Sequence, residues 1–423
     1  MNTRQRQKIA IIGTGISGLG AASLLHAQHE ITLYEKNDYI GGHSRTVEVM
    51  TKDGIVPVDT GFIVFNKRNY PLLTRLFQHC DVPFVASDMS FGASIADGWL
   101  EYSTQSPGQI FAQPQNFLRP AFWRMLADIF KFNRKAASYL NKPPSFTLGD
   151  CLNELGLGAW FQNYFLLAMG AAIWSTPVAE MLKFPACSFI RFFDNHGLLT
   201  VHDQPQWYTV KGGSREYVTR VTRAFKDRIW LNCGAVAVRR VAEGVIINDS
   251  RGGTMTYDQV VFACHADQAL ALIENPTPAE KLILSAFQYQ PNRAVLHSDT
   301  SFMPQRKKAW ASWVYHCQGK ADAGQSVSLS YWMNNLQPLA TDQPLIVTLN
   351  PGREPDRRLV HNDYVFEHPV FNAAAVSNQS AIEAIQGCDR LWFCGAYQRY
   401  GFHEDGLGSA VKMVERMGIY PQW

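Results

Sequence analysis

Three glycines near the start have the spacing of a phosphate-holding turn. In "KIAIIGTGISGLGAASLLHA", Gly13, Gly15 and Gly18 follow an apolar run, Lys8 to Ile12, that reads as a buried parallel strand. At a strand-to-helix junction the first glycine permits a tight turn and the second admits a pyrophosphate against the backbone. The third packs helix on strand. The helix then opens at Ile16 and Ser17, where unpaired N–H groups and the positive dipole end face phosphate oxygens. A second strand, "EITLYEK", ends in Glu35 and Lys36. Glu35 stands where a carboxylate accepts both hydroxyls of a ribose. The pattern describes dinucleotide binding without choosing the dinucleotide.

Other segments could serve the same ligand. "YIGGHSRTVEV" places Gly41 and Gly42 just after the second strand, followed by His43 and Arg45. A glycine doublet lets the chain pass close to a pyrophosphate, and a cation beside it offsets the charge. Whether His43 or Arg45 does so is open. "VDTGFIVFN" carries Thr60 and Gly61, and "QWYTVKGGSREYV" a further doublet, Gly212–Gly213, at a helix start. Near the far end "LWFCGAYQRYGFHEDGLGSAV" repeats the layout of apolar strand, glycine turn and helix start.

Taken in order, these segments resemble the flavin-containing amine oxidase superfamily. The resemblance implies FAD, held non-covalently, in an α/β chain: a Rossmann-like FAD-binding domain with an interleaved substrate domain of antiparallel sheet plus helices. Residues 1–66, 206–284 and 370–423 would form the first, and 67–205 and 285–369 the second, with a helical part at 107–200. It further implies that Thr60 and Gly61 lie by the isoalloxazine, and that Gly395, Asp405, Gly406 and Leu407 lie against the ribityl chain and flavin edge. Val236 would touch the adenine through its backbone in a β-meander, with Ala263 and Cys264 passing near. FAD is too long for one turn to hold, which gives the second turn its purpose.

Narrower motifs, "LYEKNDYIGGHSRTV", "VDTGFIVFNKRNYPLL", "AAIWSTP", "FFDNHGLL" and "GFHEDGL", resemble the amine-oxidase-like domain fused to plant cyclopropane-fatty-acyl-phospholipid synthases and its free-standing bacterial relatives. That resemblance implies a lipid acyl chain as substrate and a cyclopropane-synthase-like methyltransferase as partner. Flavin N5 takes hydride readily from carbon beside nitrogen or oxygen. An acyl chain therefore needs an allylic or methyl-branched olefinic position, and a base for the second proton. His403 and Glu404 are the candidate bases. Tyr400, Phe402, Trp174, Trp313 and Trp332 are the candidate pocket walls, although core packing accounts for the tryptophans about as well. Three alternatives stay open: an amine oxidase, a double-bond isomerase using FAD as a transient hydride store, and a non-catalytic flavin-binding partner of an acyl-modifying synthase. Amine oxidases usually carry a strand Lys, where "YQPNRAVLHSD" offers Arg293.

Composition narrows the rest. A net charge of +3 over 423 residues, without a basic stretch interleaved with stacking residues, argues against nucleic acid. The eight cysteines are scattered, without metal-type spacing, and read as reduced in a cytoplasmic protein. "NFLRPAFWRMLADIFKFNRKAASYL", within 117–140, predicts a helix from Pro120. Arg124, Asp128, Lys131 and Lys135 fall on one side, and the apolar residues span an arc wider than one buried face requires. Two readings are open: it packs on two neighbours, or it dips peripherally into the inner membrane face.

Overall fold

The computed structural model describes residues 6–174, 178–195, 197–200, 204–317, 319 and 327–423, excepting the side chains at 171, 172, 174, 178, 195 and 327. Five strands form a parallel sheet in the order Ile229–Trp230, Glu30–Tyr34, Lys8–Ile12, Gln259–Phe262 and Leu391–Phe393. Ile9, Ala10, Ile11, Val260, Val261 and Phe262 are fully buried, as continuous apolar strands covered on both faces must be. Because the strands run parallel, all their C-terminal ends open on one edge, the ligand-binding edge of such sheets. Strands from the two ends of the chain thus flank Gln259–Phe262 and deliver both glycine turns to the same side.

A three-stranded meander, Ala235–Val241, Gly244–Asp249 and Thr254–Tyr257, caps this sheet. The segment that follows the meander, Gln259–Phe262, is the sheet strand that pairs with Lys8–Ile12. The helix Pro71–His79, expected in the substrate part, buries Leu73, Leu76 and Phe77 in the same core as Ile9, Ile11 and Leu19. Strand Phe84–Ser87 likewise pairs with Trp207–Val210. Both elements pack with the nucleotide half, because the amphipathic helix finds its apolar partner there.

The other half is built on a seven-stranded sheet in the order Val360–Val370, Gln288–His297, Ile346–Leu349, Val327–Trp332, Trp313–Cys317, Phe91–Ile95 and Leu100–Ser103. All neighbours are antiparallel except Trp313–Cys317 with Phe91–Ile95. Helices between 107 and 195 pack over it around Phe122, Phe132, Phe161, Phe189 and Phe193. Helix Pro120–Lys135 starts with Pro at its first position, as expected, but Asp128 is buried rather than on the solvent side. Its carboxylate accepts the Gly158 N–H at 2.8 Å and faces Arg124 Nε at 3.8 Å.

One buried carboxylate ties the halves together. Asp59 accepts hydrogen bonds from Thr46 Oγ1 (2.6 Å), the Ser214 N–H (2.8 Å) and Oγ (2.8 Å), and Gln337 Nε2 (2.8 Å). The Gln337 amide oxygen in turn accepts the Asp59 N–H at 2.9 Å. Ser214 follows the Gly212–Gly213 doublet, where φ of +87° and +90° favours glycine.

Candidate dinucleotide site

The two glycine turns meet. Helix Ile16–Leu25 and helix His403–Arg416 run side by side in the same sense, with their N-termini together. A Cβ on Gly406 would lie 2.9 Å from both Ile16 Cγ2 and Ser17 Oγ, and one on Gly20 would lie 2.6 Å from Leu407 Cδ1. Leu407 is therefore an interhelical core residue. At Gly15 a Cβ would meet nothing within 4 Å, whereas at Gly18 it would lie 2.0 Å from the Gly13 carbonyl oxygen. The first faces open space and the second is a packing contact. Gly42 approaches from the other side, a Cβ there being 3.0 Å from Gly15 Cα. Gly61 is wedged between the His43 carbonyl and the Phe366 ring.

The Glu35 carboxylate is preorganised. Glu35 Oε2 accepts Thr14 N–H and Oγ1–H at 3.1 and 2.5 Å, and its Oε1 accepts the Asn37 N–H at 2.9 Å. The backbone after Lys36 crosses close to Gly234, where a Cβ would lie 3.0 Å from the lysine's own Cβ. Val236 is the extra residue of a bulge, since Ala235 pairs with Asp249 and Ala237 with Asn248. A bulged residue keeps its backbone groups outside the ladder, free for a ring edge. Ala263 is a floor residue: a Cβ on Gly13 would sit 2.8 Å from its carbonyl oxygen. Burial pushes the neighbouring Cys264 thiol up to about 12, so it stays protonated.

Arg45 and His43 divide differently from either expectation. Arg45 Nη1 donates to Asn362 Oδ1 at 2.8 Å, and its guanidinium lies 4.3 Å from the Tyr364 ring. Thr60 Oγ1 donates to the Arg45 carbonyl at 3.2 Å. His43 stacks on Phe366 at 4.9 Å and lies 5.2 Å from His368. His265 stacks on Tyr289 at 4.2 Å, and its buried Nδ1 has no hydrogen bond, lying 3.5 Å from Glu367 Oε2. His403 stacks on Phe62 at 3.8 Å, and its Nε2 meets Ser44 Oγ at 2.9 Å and Tyr217 Oη at 3.4 Å.

Burial alone pushes His43 down to about 4, and burial, followed by repulsion from His43 and, at His265, from Lys36, pushes His265, His368 and His403 to about 3. Each folded value is below the unfolded value near 6.5, so the unfolded chain binds more protons between those limits. Stability is then fully present above pH 6.5 and is lost as pH falls toward 4. The cofactor-free protein should show its urea midpoint dropping steeply between pH 6.5 and 4.5. His43→Gln should flatten that slope by up to one proton.

Glu404 has a different task from the expected one. Its two oxygens accept the Leu72 and Leu73 N–H groups at 2.8 and 2.9 Å, capping helix Pro71–His79. That helix has no cap from its own N-cap residue, Tyr70, so a distant acid supplies one. Glu404→Ala should lower stability by about 1–2 kcal/mol in chemical denaturation, with FAD affinity unchanged. Asp405 caps its own helix by accepting the Phe402 N–H at 3.0 Å. The Gly395 N–H donates to Ser409 Oγ at 2.8 Å, which draws the second turn onto its helix.

The pocket candidates separate. Phe402 stacks on Phe192 at 5.0 Å, and Tyr400 approaches the same ring at 6.1 Å. Trp313 packs edge-on against Tyr331, whereas Trp332 faces the opposite side of the sheet and packs on Trp310. Strand alternation makes a shared wall impossible for them. The Trp174 side chain lies outside the described residues. Arg293 is turned outward, bound to Glu354 (2.7 and 2.9 Å) and Asp363 (2.7 Å). Sequence reasoning missed strand Val360–Val370, whose Asn362, Tyr364, Phe366 and His368 contact Arg45 or His43, and it missed Ser44, Tyr217 and Phe192. The alternation in "NDYVFEH" marks a strand with one aromatic face, but nothing local says what that face meets.

Fold and cradle have the layout of a dinucleotide-binding protein, and comparison with known proteins shows what the chain is similar to. Residues 11–80 match the NAD(P)-binding Rossmann-like domain family. Across 48 residues the chain is 46% identical to 4,4'-diapophytoene desaturase (4,4'-diaponeurosporene-forming) of Staphylococcus aureus strain Newman, covering 11% of this chain and 9% of that protein. The CLA-producing fatty acid isomerase of P. acnes superposes with a TM-score of 0.69 at 14% identity, over 99% of this chain and 100% of that one. Cyclohexylamine oxidase of Brevibacterium oxydans IH-35A gives a TM-score of 0.69 at 15% identity, over 98% and 100%. The chain has the fold of the amine-oxidase-like FAD superfamily.

The residues present fit FAD. Two helix N-termini meet at the open face of Gly15, the Glu35 carboxylate lies beside the Thr14 N–H of the first turn, and Val236 stands out of the meander's ladder.

Proposed function

We propose that the protein is an FAD-dependent oxidoreductase that removes hydride from an unsaturated or methyl-branched fatty acyl chain, carried on a phospholipid. FAD, when bound, supplies the hydride acceptor. The observation that carries the substrate class is the aromatic wall Phe192–Tyr400–Phe402 beside the second glycine turn. On the substrate strand where amine oxidases carry a lysine, Arg293 is held outward in ion pairs. An aromatic wall of this kind suits an alkyl chain.

His403 is neutral at pH 7, because burial has pushed its pKa down. Ser44 and Tyr217 hold the ring, and Phe62 holds its plane.

The FAD-loaded protein should be incubated in air with phospholipids bearing monounsaturated or methyl-branched chains, and the acyl products weighed by mass spectrometry. A product two mass units lighter supports dehydrogenation. A product of unchanged mass with a moved double bond would make the protein an isomerase, a reading consistent with its likeness to the fatty acid isomerase. Turnover of monoamines or polyamines alone would overturn the acyl reading.

A further inference from the structure

Helix Pro120–Lys135 has a face that the fold leaves in water. Phe122, Met125, Asp128 and Phe132 point inward. Outward, Trp123 is 48% and Phe130 61% exposed, and the turn just before the helix adds Phe117 at 53% and Leu118 at 86%. Four of the twelve large apolar side chains exposed among the described residues thus fall within fourteen positions. They are held rather than loose: the Trp123 indole N–H donates to the Phe117 carbonyl at 2.9 Å, and Phe117 stacks on Phe111 at 3.8 Å.

The same face is strongly positive. At about 100° per residue, Trp123 and Phe130 lie beside a stripe formed by Arg124, Lys131, Arg134 and Lys135, all exposed. Between Glu101 and Asp150 the only acid in the sequence is Asp128, which is buried. Six basic residues stand against it there, while the whole chain carries only +3, so the remainder is net negative. The positive charge is therefore local, not a property of the protein as a whole.

We infer that this face, Phe117 to Lys135, docks the protein on an anionic phospholipid bilayer. The apolar ledge enters the boundary between headgroups and acyl chains, and the basic stripe meets the headgroup phosphates. Aromatic and leucine side chains beside lysine and arginine on one amphipathic helix are the pattern that binds in the interfacial plane. Each basic residue near an anionic surface adds attraction that salt screens. Among the described residues no helix is long and apolar enough to cross a membrane, so the contact is peripheral. The inference does not depend on the reaction the protein performs.

The FAD-loaded full chain should be sedimented with vesicles of phosphatidylcholine alone and of phosphatidylcholine with phosphatidylglycerol. Binding to the anionic vesicles should be about tenfold tighter or more and should weaken with salt. Two variants separate the contributions. Trp123→Ser with Phe130→Ser removes the ledge, and Lys131→Glu with Lys135→Glu reverses the stripe. Each should weaken binding about tenfold, while thermal melting stays at the wild-type value because all four side chains are exposed. Equal binding to both vesicle types, or variants that bind as well as wild type, would overturn the inference. So would a dimer in solution that Trp123→Ser with Phe130→Ser dissociates, which would make the face a protein–protein interface.

Discussion

Gly15→Val should abolish FAD binding and leave the fold intact. The backbone at Gly15 has φ −67° and ψ 179°, a conformation any residue adopts, and a Cβ there would meet no protein atom within 4 Å. The folded apoprotein therefore tolerates valine with a melting temperature close to wild type. The space the side chain enters is the one the pyrophosphate needs against the helix N-terminus. An affinity loss of at least a hundredfold is expected, about 3 kcal/mol, read by titrating apoprotein with FAD and following flavin fluorescence. Gly13→Ala should behave in the opposite way. There φ is +107° and the new Cβ would sit 2.8 Å from the Ala263 carbonyl oxygen, so folding itself should suffer. A Gly15→Val protein that binds FAD normally would remove the first turn from the site.

Asp59→Ala should be the most destabilising single change in the nucleotide half. The carboxylate is fully buried and accepts from Thr46, Ser214 and Gln337, which belong to three separate segments. Removing it strands those donors without water, at about 3–5 kcal/mol in total. The measurement is the urea midpoint of the apoprotein. Asp59→Asn keeps the shape and some of the bonds and should lose clearly less. Because Ser214 follows the Gly212–Gly213 turn and Gln337 comes from the substrate half, the loss should also loosen the two halves. Protease cleavage near 212 would report it.

The nucleotide cradle was legible because its physics is local. Gly13, Gly15, Gly18 and Glu35 are fixed by one strand–turn–helix unit, and a spacing rule covers it. The second turn was legible by its layout, and its convergence on the first follows from five strands being parallel. What sequence could not show were contacts between distant segments. Glu404 looked like a base beside a flavin turn, yet it caps a helix more than 330 positions away. Trp313 and Trp332 looked like one wall, and strand alternation put them on opposite faces. Arg45, one of two cations considered for the phosphate, is held by Asn362 and Tyr364, from a strand whose partner no local pattern announces. Asp128 looked solvent-facing by helical angle until Gly158 covered it. Periodicity assigns faces and says nothing of which neighbour arrives.

The most direct test of the central proposal is an anaerobic one. The FAD-loaded protein is mixed, without oxygen, with vesicles of monounsaturated or methyl-branched phospholipids, and the flavin absorbance near 450 nm is followed. Bleaching with lipid and not with polyamines is the expected result, since hydride would then have passed from acyl carbon to flavin. An oxidised spectrum that persists with every lipid, and bleaches with amines, would contradict it and return the aromatic wall beside Phe402 to an amine site.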